Sequence, residues 1–247
     1  GIWVGEDLVT TKNLSGLPGA HIVLNDPAVE SAILELPRKG LLRFGHPCDR
    51  YDVAALLNVQ DDHVGIDGIE TLEQMARLKA EVLERASDAI VVNADDELCL
   101  QMRERAGCRR HILVAQGEVN PAVVKHRLAG GEALFMAERN ERRWIVLAEG
   151  AVESELMALD DIPATMNGLL RFNEINALFA AALAWAQGGQ LAVIRDALSR
   201  FHNSPEQNPG RYNFIDGLPF RILLDYGHNP EGVRELFDIV SRLPVKG

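Results

Sequence analysis

Short, unbroken apolar runs alternating with helical patterns constrain this 247-residue chain more than any other feature. The runs are His21–Leu24, Ala32–Leu34, Val53–Leu57, Ala89–Val92 and His111–Val114. Continuous apolar runs of this length are expected of strands covered on both faces, which is the condition of a parallel sheet. Helical patterns lie between several of them, notably over 71–85 and 96–105, and Thr71 with Gln74 has the spacing of a capping box. Strand and helix in alternation predict the α/β class: a mainly parallel sheet flanked by helices.

The pattern changes from Asn120 to Ile162. Gly130-Gly131 and Asn140-Glu141 read as turns between short strands such as Ala133–Met136 and Trp144–Leu147, a small antiparallel excursion. Alanine-rich helix is expected from about Asn173 to Gln187, and a further helix from Leu191 to Phe201. The segment Asn203–Gly210, with two prolines and a glycine, reads as a linker. A last strand at Phe220–Leu224 leads into Asp225 through Pro230 and an amphipathic helix from about Glu231. The domain expectation is therefore a central domain over 1–205, followed at 206–247 by the start of a second α/β domain too short to stand alone.

Charge narrows the partners. A net charge of −11 argues against a nucleic-acid scaffold and against binding to anionic membranes, while leaving room for a local basic site. The three cysteines, Cys48, Cys99 and Cys108, have no C-x-x-C spacing, which suits reduced thiols in a cytoplasm. No apolar stretch approaches the roughly 20 residues of a membrane span, and no signal peptide is evident. The first residue is Gly1, so a fragment or a processed product is expected. A homo-oligomer is an open possibility.

Ligands of an open α/β sheet lie beyond the carboxyl ends of its strands. Polar groups stand there: Glu35, Asn58 through His63, Asn93 with Asp95 and Asp96, and Asp225 through Asn229. The plain alternative is that strand ends are polar because loops are. On the helix over 71–85 the apolar positions Leu72, Met75, Ala76, Val82, Leu83 and Ala86 skip one place, which is Lys79. A lysine on that face is either a stem snorkelling at the edge of the stripe or a buried amine available for reaction or modification. Glu35 suits a hard cation such as Mg²⁺, and His63 is a less usual ligand for it. Arg211, within Asn208-Pro-Gly-Arg211, either forks onto a phosphate or is a solvated turn residue. Asp225 either takes a ribose hydroxyl or caps the helix after Pro230. No G-x-G-x-x-G, H-E-x-x-H, G-x-S-x-G or G-x-x-x-x-G-K-[ST] run is present, and zinc-type spacing is absent.

Seven segments, taken in order, resemble the Mur ligase superfamily, and within it the Mur-ligase-like part of the cyanophycin synthetases. They are Asp26 to Glu35, Gly40 to Gly45, Asn58 to Gly65, Asn93 to Asp96, Arg171 to Ala177, Asn208 to Arg211 and Asp225 to Pro230. Each is weak alone; the ordered set spans nearly the whole chain.

The resemblance implies an ATP-dependent amide ligase that makes an acyl phosphate, which an amine then displaces. In the cyanophycin synthetases the amine is that of arginine and the carboxylates belong to an aspartate polymer. It further implies that Glu35 and His63 hold magnesium and that Lys79 matches a lysine carried as a carbamate. Asn173 and Asn176 match a nucleotide-contacting region, and Arg211 and Asp225 match phosphate and ribose contacts. Pro37, Lys39 and Gly227 depart from the residues usual at those places. The family's phosphate loop would precede Gly1, so the chain as given is expected not to turn over ATP alone. Two other readings stay open: a catalytically dead Mur-like binding or oligomerisation module, and a relative of folylpolyglutamate synthase or of the cell-wall Mur ligases.

Overall fold

The computed structural model describes residues 2–5, 7–12, 14, 16–61, 64–227 and 230–243, with only the backbone of 230 and 231. In chain order the elements are β1 (Ile2–Val4), β2 (Asp7–Thr10), α1 (Leu17–Leu24), α2 (Arg38–Phe44), β3 (Tyr51–Leu56), α3 (Leu72–Glu84), β4 (Ala86–Asn93) and α4 (Glu97–Met102). Then come β5 (Arg110–Ala115), α5 (Pro121–Leu128), β6 (Glu132–Arg139), β7 (Arg142–Glu149), β8 (Val152–Ala158), α6 (Arg171–Ala186), α7 (Leu191–Arg200), β9 (Asn213–Ile215), β10 (Ile222–Leu224) and α8 (Pro230–Arg242).

A six-stranded sheet runs in the order β3-β4-β5-β6-β7-β8. The pairs from β3 to β6 are parallel, and β7 and β8 add on antiparallel. The expected antiparallel excursion is present and extends the main sheet. Successive residues of a strand point to opposite faces, so β4 and β5 feed two cores at once. Ile90, Val92, Leu113 and Phe135 pack on one face with Met75 and Leu83 of α3 and Val123 of α5. Val91, Ile112, Val114 and Leu134 pack on the other with Leu178, Phe179 and Ala182 of α6 and Ile194 of α7. All of these residues are buried, Ile194 the least at 5% exposure and Phe135 at 0%, so Phe135→Ala would cost about 3–5 kcal/mol.

The capping box at the start of α3 is present: Thr71 accepts from the Gln74 backbone N–H, and the Gln74 side chain accepts from the Thr71 N–H. Two expected strands are not strands. His21–Leu24 is the second half of α1, a helix with a proline in its first turn and Asn25 closing it through two bonds to the His21 carbonyl. A four-residue apolar run has no period of its own, so local pattern does not separate helix from strand there. Gly19 lets α1 approach Leu14, whose carbonyl oxygen would lie 2.3 Å from a Cβ at that position. Ala32–Leu34 pairs with no strand among the described residues, and Ile33 is 97% exposed. The helix expected over 96–105 ends at Met102 and tightens into a 3₁₀ turn at Arg103–Arg105.

β9 and β10 form a separate antiparallel pair. The expected linker at 203–210 is held by hydrogen bonds, and the hairpin and α8 pack on the start of α6 through Leu170, Tyr212 and Ile239. Among the described residues no helix is long and apolar enough to cross a membrane.

Candidate functional site

Two polar assemblies stand near the start of α6 and the end of β3. The first is a cavity of about 440 Å³ whose lining includes Gln60, Phe172, Asn173, Asn176, Asn208, Arg211, Tyr212 and Asp225. Asn173, Asn176, Arg211 and Asp225 were singled out from separate parts of the sequence, and they share this one space. Gln60 enters from the loop after β3, and Phe172, Asn173 and Asn176 come from the first turns of α6. The dipole of a 16-residue helix makes its N-terminus favourable to negative charge.

Asparagine side chains hold the walls together. Asn173, 8% exposed, donates to the Ala164 carbonyl at 2.7 Å and accepts from Asn176 at 3.1 Å. Asn203 donates to the same carbonyl at 2.7 Å and accepts from Asn208 at 3.1 Å. Asn213 is 1% exposed; its amide nitrogen donates to the carbonyls of Asn203, Asn208 and Arg211, and its amide oxygen accepts from the Gly210 N–H. A buried amide with this many partners fixes the backbone around it, because each lost bond would leave an unmatched polar group. Asn203 and Asn213 were not anticipated as site residues. Their only sequence signal is the recurrence of asparagine at 203, 208 and 213, which reads as ordinary loop composition.

Asp225 does local work. Its carboxylate accepts from the Tyr212 N–H at 3.2 Å and the Gly227 N–H at 2.7 Å, which ties the end of β10 to the loop that carries Arg211. A Cβ at residue 227 would stand 3.1 Å from that carboxylate, a tight contact. The Arg211 guanidinium lies over the Tyr226 ring at 5.3 Å. Tyr212 packs on Phe172 with ring centroids 4.8 Å apart, and burial, then the charges of Asp225 and Glu235, push its phenol up to about 12.

The second assembly is at the ends of β3 and β4. Lys79 is half-buried, and its ammonium donates to the Asn58 carbonyl at 3.1 Å. Asp96 caps α4 by accepting from the Cys99 N–H at 3.0 Å, and its other oxygen accepts from the Val59 N–H at 2.7 Å. Asn93 donates to the Leu57 carbonyl at 2.8 Å. Burial, then the Asp96 charge, pushes the Cys99 thiol well above its usual range, so it is an inert packed group.

Glu35 is exposed and lines a different groove, of about 590 Å³, with Trp3, Leu14 and Val23. Lys79 lines neither space. His63 lies outside the described residues, as do His228 and Asn229. Among the described residues no three His, Cys, Asp or Glu side chains cluster as a metal site. The donor set of the asparagine cavity suits a nucleotide: neutral amides, an arginine, a carboxylate and aromatic faces. Of the two residues expected to hold magnesium, Glu35 is the one among the described residues, and a single carboxylate suits an ion that keeps most of its waters.

The chain is similar to several known proteins. The chain is 35% identical over 234 residues to a cyanophycin synthetase of Geminocystis herdmanii, covering 94% of this chain and 26% of that protein. It is 36% identical over 246 residues to a cyanophycin synthetase of Crocosphaera subtropica, covering 98% of this chain and 27% of that protein. The chain thus spans about a quarter of the length of these curated relatives. In fold it is similar to the solved UDP-N-acetylmuramoylalanyl-D-glutamyl-2,6-diaminopimelate–D-alanyl-D-alanyl ligase of Acinetobacter baumannii, with a TM-score of 0.53 at 22% identity over 83% of this chain and 40% of that one. The family model described as Mur ligase middle domain matches residues 2–184, and the chain belongs to that family.

Proposed function

We propose that this chain is the nucleotide-handling part of an ATP-dependent amide ligase of the cyanophycin synthetase type, with residues 1–205 as the central domain and 206–247 as the start of the C-terminal domain. The observation that carries the reading is the convergence of Asn173, Asn176, Arg211 and Asp225 on one cavity. The similarity to cyanophycin synthetases supports arginine as the amine and an aspartate polymer as the carboxylate.

Each residue has a role in this reading. The amides of Asn173 and Asn176 bind and orient the nucleotide, with the positive end of α6 behind them. Arg211 neutralises phosphate charge, and its stacking on Tyr226 limits the directions in which its fork can point. Asp225 holds the loop of Arg211 and offers a carboxylate edge to ribose hydroxyls. Glu35 and His63 would hold magnesium, which supplies charge neutralisation during phosphoryl transfer. Lys79, in this reading, is carried as a carbamate, and its amine stands at the end of β3 where the loop to Gln60 begins. Phosphoryl transfer then yields an acyl phosphate on the polymer carboxylate, and the incoming amine displaces phosphate.

The test is calorimetric titration of the chain with ADP and with a non-hydrolysable ATP analogue, each with magnesium. Asn176→Ala and Arg211→Ala are expected to weaken binding by about tenfold or more, the loss of one or two good polar contacts. Equal affinity in parent and variants removes the cavity from the reading.

A further inference from the structure

Glu174 is the one buried acid among the described residues, at 2% exposure. It sits in the first turn of α6 between Asn173 and Asn176. Its partner is Arg143 of β7, which forks onto it: Nη1 donates to Oε2 at 2.9 Å and Nη2 donates to Oε1. The Glu174 side chain is 3% exposed and the Arg143 side chain 45%, so the acid is fixed in the interior while the arginine reaches in from the rim.

A strap of left-handed backbone crosses this pair. Met166, Asn167 and Gly168 have φ of 52°, 56° and 77°. A Cβ on Gly168 would stand 3.1 Å from Arg143 Nη2 and 3.3 Å from Glu174 Oε1, so the strap lies directly against the fork. Beyond it, Leu170 packs on Tyr212 and Ile239, and the Leu169 carbonyl accepts from Arg242 at 3.0 Å. The pair therefore stands where the sheet, the start of α6 and the segment bearing Arg211 and Asp225 meet.

We propose that Arg143 and Glu174 are positioning residues: their fork sets the first turn of α6 against the strap, and so sets the placement of Asn173 and Asn176 in the cavity. That the cavity takes a nucleotide rests on the reading above. In this pair only the acid is buried, so removing Arg143 alone leaves the Glu174 charge uncompensated, whereas replacing both by apolar side chains removes that cost. That asymmetry separates positioning from stabilising.

The experiment compares the parent with Arg143→Met, the double variant R143M/E174L, and Arg143→Lys, in three readouts: melting temperature, the side-chain amide NMR signals of Asn173 and Asn176, and ADP affinity. Arg143→Met is expected to melt lower. The double variant is expected to recover the parent's melting temperature while the two amide signals stay displaced and ADP binding stays weaker by about tenfold, as for a chemically intact but misplaced lining. Arg143→Lys keeps the charge and loses the fork, and it should displace the same amide signals; it decides the matter if the double variant does not fold. Amide signals that match the parent in the folded variants overturn the proposal. If the parent itself binds no ADP, the nucleotide reading fails, and the amide signals alone still decide the positioning role.

Discussion

Lys79 donates to the carbonyl oxygen of Asn58 at 3.1 Å, across 21 residues of chain, and so ties the middle of α3 to the loop that leaves β3. The next residue in that loop, Val59, is held from the other side by Asp96 at 2.7 Å, and Gln60 then enters the asparagine cavity. An amine on the apolar side of a helix thus has a backbone partner, and its aliphatic stem covers part of the helix face on the way.

Replacing that amine while keeping its stem isolates the bond. Lys79→Met is expected to lower unfolding stability by about 1 kcal/mol, the net worth of one hydrogen bond, measured by urea denaturation. Lys79→Ala should cost more, about 2 kcal/mol, because the stem's packing goes too. In an assay of the proposed ligation, a fall in turnover no larger than these stability losses would leave Lys79 as a structural tie only.

Asp96 serves two N–H groups with its two oxygens. Asp96→Ala should cost about 2 kcal/mol, a helix cap together with the bond to Val59, and Asp96→Asn about half of that, since the amide retains one acceptor oxygen. The ratio of the two urea midpoints tests whether both oxygens carry weight.

Asn213 is the most connected side chain of the cavity wall, with three accepting carbonyls and one donating N–H. Asn213→Ala is expected to destabilise by about 2–4 kcal/mol, because several buried backbone groups lose partners at once. Binding of ADP should fall with it, although Asn213 itself is not among the cavity's lining residues. An unchanged calorimetric affinity would show that the loop bearing Arg211 holds its shape without that amide.

His46 offers a pH test. Its side chain is 4% exposed, with Tyr51 Oη 3.0 Å from Nδ1 and Glu81 3.2 Å from Nε2. Burial, then the charge of Arg85, lowers its pKa below 6.5 despite the opposing pull of Glu81. A folded-state value below the unfolded one means that the unfolded chain takes up the proton more readily. The stability contribution is thus complete above pH 6.5 and is lost as pH falls through the folded value. Burial lowers His126 in the same sense. His46→Gln should therefore flatten, in part, the loss of stability between pH 7 and pH 5. An NMR titration that places His46 above 6.5 would show the Glu81 pairing to be the stronger influence.

The legible part of this molecule was the part governed by near neighbours in sequence. Val53–Leu57, Ala89–Val92, His111–Val114, Ala133–Met136 and Trp144–Leu147 are apolar runs long enough, and well enough bounded by turns, to be strands wherever they are placed. Thr71 and Gln74 close their capping box within four residues. His21–Leu24 and Ala32–Leu34 look the same by composition, yet one became helix and the other irregular chain. The difference lies in packing that composition does not encode: α1 is accommodated by the close approach of Gly19 to Leu14, and Ile33 pairs with no strand among the described residues.

The candidate site divides in the same way. Sequence alone determined the α/β class, the polar ends of β3 and β4, the odd placement of Lys79 and the ordered motifs that mark the family, whereas Glu35 follows irregular chain and not a strand. Tertiary structure alone decided that Asn173, Asn176, Arg211 and Asp225 share one cavity, that Asn203 and Asn213 hold its walls, and that Arg143 reaches Glu174 across 31 residues. The physical reason is the range of the forces involved. Propensity, periodicity and caps act over a few residues, whereas a cavity is defined by which distant segments the burial of two apolar cores forces together.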